Sequence, residues 1–191
     1  DLKDGSWPTG VTGPASVTKT YGLAATLTEI IPVKDGCTFL GWSETNGADV
    51  ASYLPGATFS KEITGPTTLY AVWKANTYTI TFSSGEGYTL LSGGSMTVEH
   101  GGNFEFNLIV DPAYAEKTPS VWTNTAGIGG GTEIHPDPSV PVVTKSDGAK
   151  VYHYKLTSIT ADTAINALVT ANATYTVTFM TNGIIYQTQQ V

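Results

Sequence analysis

Three histidines are the residues best suited to zinc binding or to acid–base chemistry, and their spacing favours neither. They are His100, His135 and His153. Zinc sites on one element need close ligand spacings such as HExxH, and no such pattern occurs here. The sequence therefore favours surface or turn positions for all three histidines.

Other catalytic patterns are also incomplete. Ser43 follows Gly41 by two residues, but Thr45 stands where a GxSxG nucleophile motif requires glycine. The glycine run at 127–131 is followed by neither a lysine nor a predicted helix, so it does not resemble a phosphate-binding loop. The acids that could form a hydrolytic pair lie near predicted turns: Asp35, Glu44 and Asp49. We predict no catalytic residue, no metal site, no cofactor and no enzyme activity.

The four tryptophans offer a different chemistry, because flat indole rings stack on the apolar faces of sugars. Trp42 and Trp73 lie in predicted strands of a small module with little other bulk, so we predict that they are core residues. Trp7 and Trp122 lie in looser contexts and are the candidate contacts for a host protein or a glycan. The other predicted core residues are Phe39, Leu69, Phe104 and Phe106.

The composition indicates an all-β protein that does not bind nucleic acid. The chain has 31 threonines, 21 glycines and 10 prolines, which favour short strands separated by turns. It has no arginine and a net charge of −7, so phosphate backbones would repel it. No run of 18 apolar residues occurs, and we expect no membrane span in this segment.

Apolar alternation places the first strands. Thr38–Trp42 reads as a short strand, and Thr67–Trp73 alternates with a period of two. The stretch "SVTKTYGLAATL" predicts a strand that is broken at Gly22 and followed by another, and a short helix at 23–30 is the alternative.

A near-repeat marks two junctions in the chain. "KANTYTITF" at 74–82 returns as "ANATYTVTF" at 171–179, and the residues before each copy also match. Repetition at a long interval is typical of modular arrays. We interpret each copy as the place where one module ends and the next begins, in a piece of a longer protein.

Between the two junctions, seven short strands are predicted over just under 100 residues, which suits an immunoglobulin-like sandwich. They are Tyr78–Phe82, Tyr88–Leu91, Ser95–Glu99, Asn103–Val110, Ser120–Trp122, Lys150–Leu156 and Ala164–Thr170. After the second junction, two runs around Asn182-Gly183 predict a hairpin.

The first module resembles a known family. "GCTFLGW" at 36–42, Tyr53 and "TTLYAVW" at 67–73 are similar to the Listeria–Bacteroides repeat, also called the internalin B-repeat. The resemblance implies a small β-grasp-like module, found in tandem on secreted or wall-anchored bacterial surface proteins.

The predicted organisation has three parts. Residues 1–75 form the repeat module, 76–172 form an immunoglobulin-like sandwich, and 173–191 begin a further, truncated repeat. We expect a non-enzymatic, extracellular stalk or spacer whose partners are neighbouring repeats of the same chain. The alternative is an adhesin module that binds a host protein or a glycan.

Overall fold

Strands make up nearly all of the regular structure. The computed structural model describes residues 1–125, 131–181 and 184–190. It is all-β, with 43% of the residues in strands. Within the described ranges, the helical content is a single 3-10 turn at Pro112–Tyr114. The predicted all-β class is confirmed.

The chain divides into two compact units. The N-terminal unit comprises residues 1–77 and 99–101, and the C-terminal unit comprises residues 78–98 and 102–191. The division falls within the first copy of the near-repeat. Whether residues 173–191 begin another repeat stays a prediction.

The N-terminal unit contains two antiparallel strand pairs. Strand β1 (Ala25–Thr26) pairs with β3 (Thr58–Phe59), and β2 (Cys37–Ser43) pairs with β4 (Tyr70–Ala75). The register of β2 against β4 shifts between Phe39 and Gly41. Gly41 has a φ of 137°, and a Cβ at this position would overlap the carbonyl of Tyr53, so the bulge requires glycine.

Of the two strands predicted in "SVTKTYGLAATL", the one before Gly22 is absent and the one after it forms only as a short strand, and the alternative helix at 23–30 does not form. Of this stretch only Ala25–Thr26 is a strand. Gly22 has a φ of 77°, and the Leu23 amide donates to the Thr20 carbonyl at 3.1 Å, which makes a turn. A tertiary contact holds this turn, because Glu62 accepts hydrogen bonds from the Gly22 amide and from Lys19 Nζ.

The C-terminal unit is built from two sheets. The five-stranded sheet, in the order β10-β9-β13-β5-β7, contains β5 (Thr77–Phe82), β7 (Thr97–Glu99), β9 (Ser120–Thr125), β10 (Thr132–Ile134) and β13 (Thr163–Leu168). The four-stranded sheet, in the order β11-β12-β8-β6, contains β6 (Tyr88–Ser92), β8 (Gly102–Val110), β11 (Val143–Thr144) and β12 (Lys150–Ile159). All seven strands predicted here are present.

The two sheets share one core, as in a β-sandwich. From β8 and β12, the side chains of Phe106, Leu108 and Tyr154 are fully buried, and Ile80 of β5 and Ile165 of β13 meet them from the other sheet. Alternate residues of β8 and β13 face this core, which is the period-two pattern of the sequence.

A separate hairpin ends the described chain. Strand β14 (Thr176–Thr181) pairs antiparallel with β15 (Ile184–Gln190), as the sequence predicts. The predicted turn at Asn182-Gly183 lies outside the described residues.

The centre of the sandwich core contains a polar atom without a partner. Tyr154 stacks on Phe106 at 5.0 Å between ring centroids, and its hydroxyl is buried without a hydrogen-bond partner among the described residues. Burial raises the pKa of Tyr154 well above its ordinary value of 10.0, because the phenolate would lose its hydration.

Replacing Tyr154 by phenylalanine should therefore stabilise the C-terminal unit. Removing the unpaired hydroxyl should raise its free energy of unfolding by about 1 kcal/mol at neutral pH. Above pH 10 the unfolded chain releases the Tyr154 proton while the folded unit retains it, so the parent loses stability as the pH rises. Tyr154→Phe has no phenol to ionise and does not lose this stability. In urea denaturation, the difference in free energy of unfolding between Tyr154→Phe and the parent should therefore widen from pH 9 to pH 11. If this difference in free energy of unfolding narrows over the same range, the Tyr154 hydroxyl is not buried in its neutral form.

Candidate functional site

The tryptophans of the N-terminal unit meet in one cluster. Trp42 is 6% exposed and packs with Leu27, Phe59 and Ala71. The ring centroids of Trp7 and Trp42 are 6.3 Å apart, and the Trp73 indole donates to the Leu2 carbonyl at 2.9 Å. These indoles therefore form the interior of the N-terminal unit.

The other residues predicted for the two cores all pack against one of the two core clusters. Phe39 and Leu69 are half-buried and pack against the tryptophan cluster, as does Trp73. Phe39 makes edge contacts with Trp42 and Trp73 at 5.1 and 5.2 Å between centroids. Phe104 and Phe106 are 5% and 1% exposed in the sandwich core.

Trp7, predicted as a contact for a ligand, is covered on one side by its own unit. A Cβ at Gly13 would overlap the Trp7 ring, so the backbone of the 13–14 segment lies directly against the indole. Trp7 also lies over Trp42 and is half-buried. Its ring is thus occupied largely by packing within the unit.

A cavity of about 370 Å³ lies beside this cluster. Its apolar wall includes Trp7, Trp42 and Phe59. Its size falls in the range of small-molecule sites, but such sites also carry polar groups that orient a ligand. Lys19 in the wall is already bonded to Glu62 at 3.1 Å, and Trp42 Nε1 is buried where a ligand would not reach it. The other polar residues of the lining are Asp1, Ser16, Thr28, Thr67 and Thr68, so the cavity has both apolar and polar walls.

The candidate nucleophile is also engaged in structure. Ser43 is 3% exposed, and its Oγ accepts a hydrogen bond from the Thr45 amide at 3.1 Å. The neighbouring Glu44 accepts from Lys61 Nζ and from the Tyr53 hydroxyl. Bonding to Lys61, and then to Tyr53, holds the pKa of Glu44 below its usual value. A carboxylate held in its charged form does not serve as a general acid near neutral pH.

Two of the three histidines lie beside carboxylates: His100 Nε2 is 3.5 Å from Asp35 Oδ2, and His153 lies near Glu105. On β12, His153 Nδ1 is 3.2 Å from Asn107 Oδ1 and its Nε2 is 3.8 Å from Glu105 Oε2. Lys155 binds the same carboxylate at 2.9 Å and is the main cause of the lowered pKa of Glu105. Across the described ranges, no group of three or more His, Cys, Asp or Glu side chains is arranged to hold a metal ion.

Trp122 differs from the other tryptophans in its surroundings. It lies in β9 between Val121 and Thr123, which are 1% and 8% exposed and face the sandwich core. Because side chains alternate along a strand, Trp122 faces outward, and it belongs to neither described core cluster. In register with it stand Glu133 of β10 and Asn166 of β13.

We call this surface the Trp122 face. It comprises the outward residues of β9, β10 and β13: Ser120, Trp122, Asn124, Glu133, Ala164, Asn166 and Leu168. The sequence singled out Trp122 but not Glu133 or Asn166. These residues lie 11 and 44 positions further along the chain (133 − 122 and 166 − 122), and only the sheet register brings them to the same place.

Comparison with known proteins identifies the N-terminal part of the chain. Residues 5–72 match the family model of the Listeria-Bacteroides repeat domain, which confirms the predicted resemblance for this segment. A protein of Evansella cellulosilytica, described as a Gly-rich membrane protein, is 46% identical over 55 residues. That match covers 29% of this chain and 6% of the relative. No solved structure matches the chain.

The part of the chain that the structure describes contains no helix with the length and apolarity that a membrane crossing requires.

Proposed function

We propose that this chain is a non-enzymatic segment of a bacterial surface protein and acts as a stalk that bears tension. A stalk joins a cell to whatever its tip holds, so its modules must resist pulling along the chain. The observation that carries the proposal is the pairing of the strands at which the chain enters and leaves the sandwich. The entry strand β5 lies beside the exit strand β13, and the two are parallel.

This pairing determines how tension acts on the sandwich. The register joins Ile80 to Thr163 and Phe82 to Ile165, and the Ser83 amide adds a bond to the Ile165 carbonyl at 2.9 Å. Tension pulls β5 towards its amino end and β13 towards its carboxyl end. Parallel neighbours then slide past each other, and all of the bonds between them are loaded at once. Separating them requires several bonds to break together.

The comparisons support a bacterial surface location. Residues 5–72 match the model of a repeat domain, and the Evansella protein that matches 55 residues of this chain is described as a membrane protein. Repeat modules distribute stability between units and their neighbours, as a linear array requires. In the N-terminal unit, the three tryptophans and Phe39, Tyr53 and Phe59 are used in packing.

Single-molecule pulling tests the stalk proposal. Force applied between Thr77 and Thr170 loads β5 against β13 in shear. Force applied between Tyr88 and Val110, which are opposite each other in β6 and β8, peels these strands apart one bond at a time. We expect a clearly higher unfolding force along the first axis, because forced unfolding follows the barrier rather than the equilibrium stability. Equal forces on the two axes would overturn the proposal.

A further inference from the structure

We infer that the Trp122 face of the C-terminal unit binds a neutral glycan, a function that goes beyond that of a stalk. Trp122 is half-buried on the outward face of a central strand, and a large aromatic side chain that belongs to neither core cluster calls for an explanation. Its neighbours β10 and β13 flank it on both sides, so its ring is held over the sheet and not on a loose loop.

The residues around the ring supply the polar half of a sugar site. Glu133 and Asn124 are exposed, and Asn166 stands opposite Trp122 on β13. Sugar hydroxyls both donate and accept hydrogen bonds, so a carboxylate and side-chain amides around an aromatic plane suit them. The Nδ2 of Asn166 is buried and finds no acceptor among the described residues.

The apolar part of the face fits the hydrogen-bearing side of a pyranose ring. The Trp122 ring provides a flat surface. Leu168, which is 62% exposed, is its diagonal neighbour on β13, two residues beyond Asn166, and enlarges the apolar part of the face. A Cβ at Gly131 would overlap the indole edge and the Asn124 side chain, so glycine lets the backbone lie against that edge. The backbone contact fixes the ring before a ligand arrives, which lowers the entropy cost of binding.

Charge decides between neutral and anionic sugars. Glu133 is the charged residue of the Trp122 face, and the whole chain carries a net charge of −7. Uronates and phosphate-bearing glycans would be repelled by both. Charge therefore favours a neutral hexose polymer over an anionic one.

Titration of the full chain with cellohexaose and with polygalacturonate, followed by tryptophan emission and ligand-observed NMR, tests this inference. We expect saturable, millimolar binding of cellohexaose and at least tenfold weaker binding of polygalacturonate. Trp122→Ala should weaken cellohexaose binding at least tenfold, and Trp122→Tyr, which keeps a ring, should weaken it less. Tyr21→Ala removes an aromatic that is 84% exposed in the N-terminal unit and serves as the matched control.

The alternatives give distinct results. The absence of cellohexaose binding by the parent chain would overturn the inference, as would unchanged binding by Trp122→Ala. If the chain dimerises in a concentration-dependent way and Trp122→Ala abolishes this, the Trp122 face binds a second copy of the chain, and the glycan inference is also overturned. If Trp122→Ala unfolds the sandwich, as shown by a loss of its amide NMR dispersion, cellohexaose binding by Trp122→Tyr is compared with binding by Tyr21→Ala instead. Equal binding by those two variants contradicts a sugar contact at Trp122. The pulling experiment does not depend on these outcomes, so the stalk proposal stands or fails separately.

Discussion

Trp42→Ala is expected to unfold the N-terminal unit and leave the C-terminal unit folded. Trp42 is 6% exposed and contacts Trp7 and Phe39 through its ring. Truncating a large buried aromatic costs about 3–5 kcal/mol. A unit of this size has a net stability of no more than about 3–5 kcal/mol. The free energy lost by Trp42→Ala should therefore equal or exceed the net stability of the N-terminal unit. Trp73→Ala should act in the same direction, since Trp73 also packs on Phe39.

Amide NMR of the intact chain reports on the two units separately. In Trp42→Ala, the resonances of residues 1–77 should collapse towards random-coil positions, while those of the sandwich keep their dispersion. Tyr21→Ala is the matched control because its side chain is 84% exposed. We expect this control to change the free energy of unfolding by no more than about 0.5 kcal/mol. A dispersed Trp42→Ala spectrum with unchanged denaturation would remove Trp42 from the core.

Phe106→Ala is expected to cause the largest loss in the sandwich. Phe106 is 1% exposed and lies at the centre of a ring stack, with Tyr154 at 5.0 Å and Phe82 of the opposite sheet at 5.6 Å between centroids. It therefore joins the two sheets. Its truncation should lower the free energy of unfolding of the C-terminal unit by about 3–5 kcal/mol, through lost burial and the cavity left behind.

Urea denaturation monitored by the amide resonances of residues 102–125 and 150–168 measures this change, because these residues lie in the C-terminal unit. Leu91→Ala provides the control, since Leu91 lies on β6 of the same sheet and is 48% exposed. We expect the control to lose less than about 1 kcal/mol. A Phe106→Ala midpoint equal to that of the control would show that the sheets are not joined through this ring.

The sandwich strands could be predicted because their own side chains alternate. Phe104, Phe106 and Leu108 occupy every second position of β8, and each is buried. Strands β10 and β11 were not predicted. They contain three and two residues in a stretch rich in glycine and proline, and they form because β9 and β12 supply partners. Such tertiary pairing leaves no local period in the sequence.

The strand predicted before Gly22 is absent because a tertiary contact overrides the local sequence. Its threonines and valine have high strand propensity, but propensity is a weak guide where tertiary contacts decide. Glu62, 40 residues from Gly22, binds the turn at Gly22 and Lys19. The Trp122 face shows the same limit for function. A single aromatic is visible in the sequence, whereas its companions Glu133 and Asn166 become visible only through the register.

The stalk account depends on tension passing through β5 and β13, and Ser83→Pro tests this dependence most directly. Proline removes the amide that donates to the Ile165 carbonyl, and Val140→Pro removes a comparable amide bond to Asp137 in a surface turn. Each variant should lose about 1 kcal/mol of equilibrium stability. Pulled between Thr77 and Thr170, Ser83→Pro should unfold at a markedly lower force, whereas Val140→Pro should match the parent. If Ser83→Pro unfolds at the same force as Val140→Pro, tension does not pass through this strand pair, and the account is contradicted.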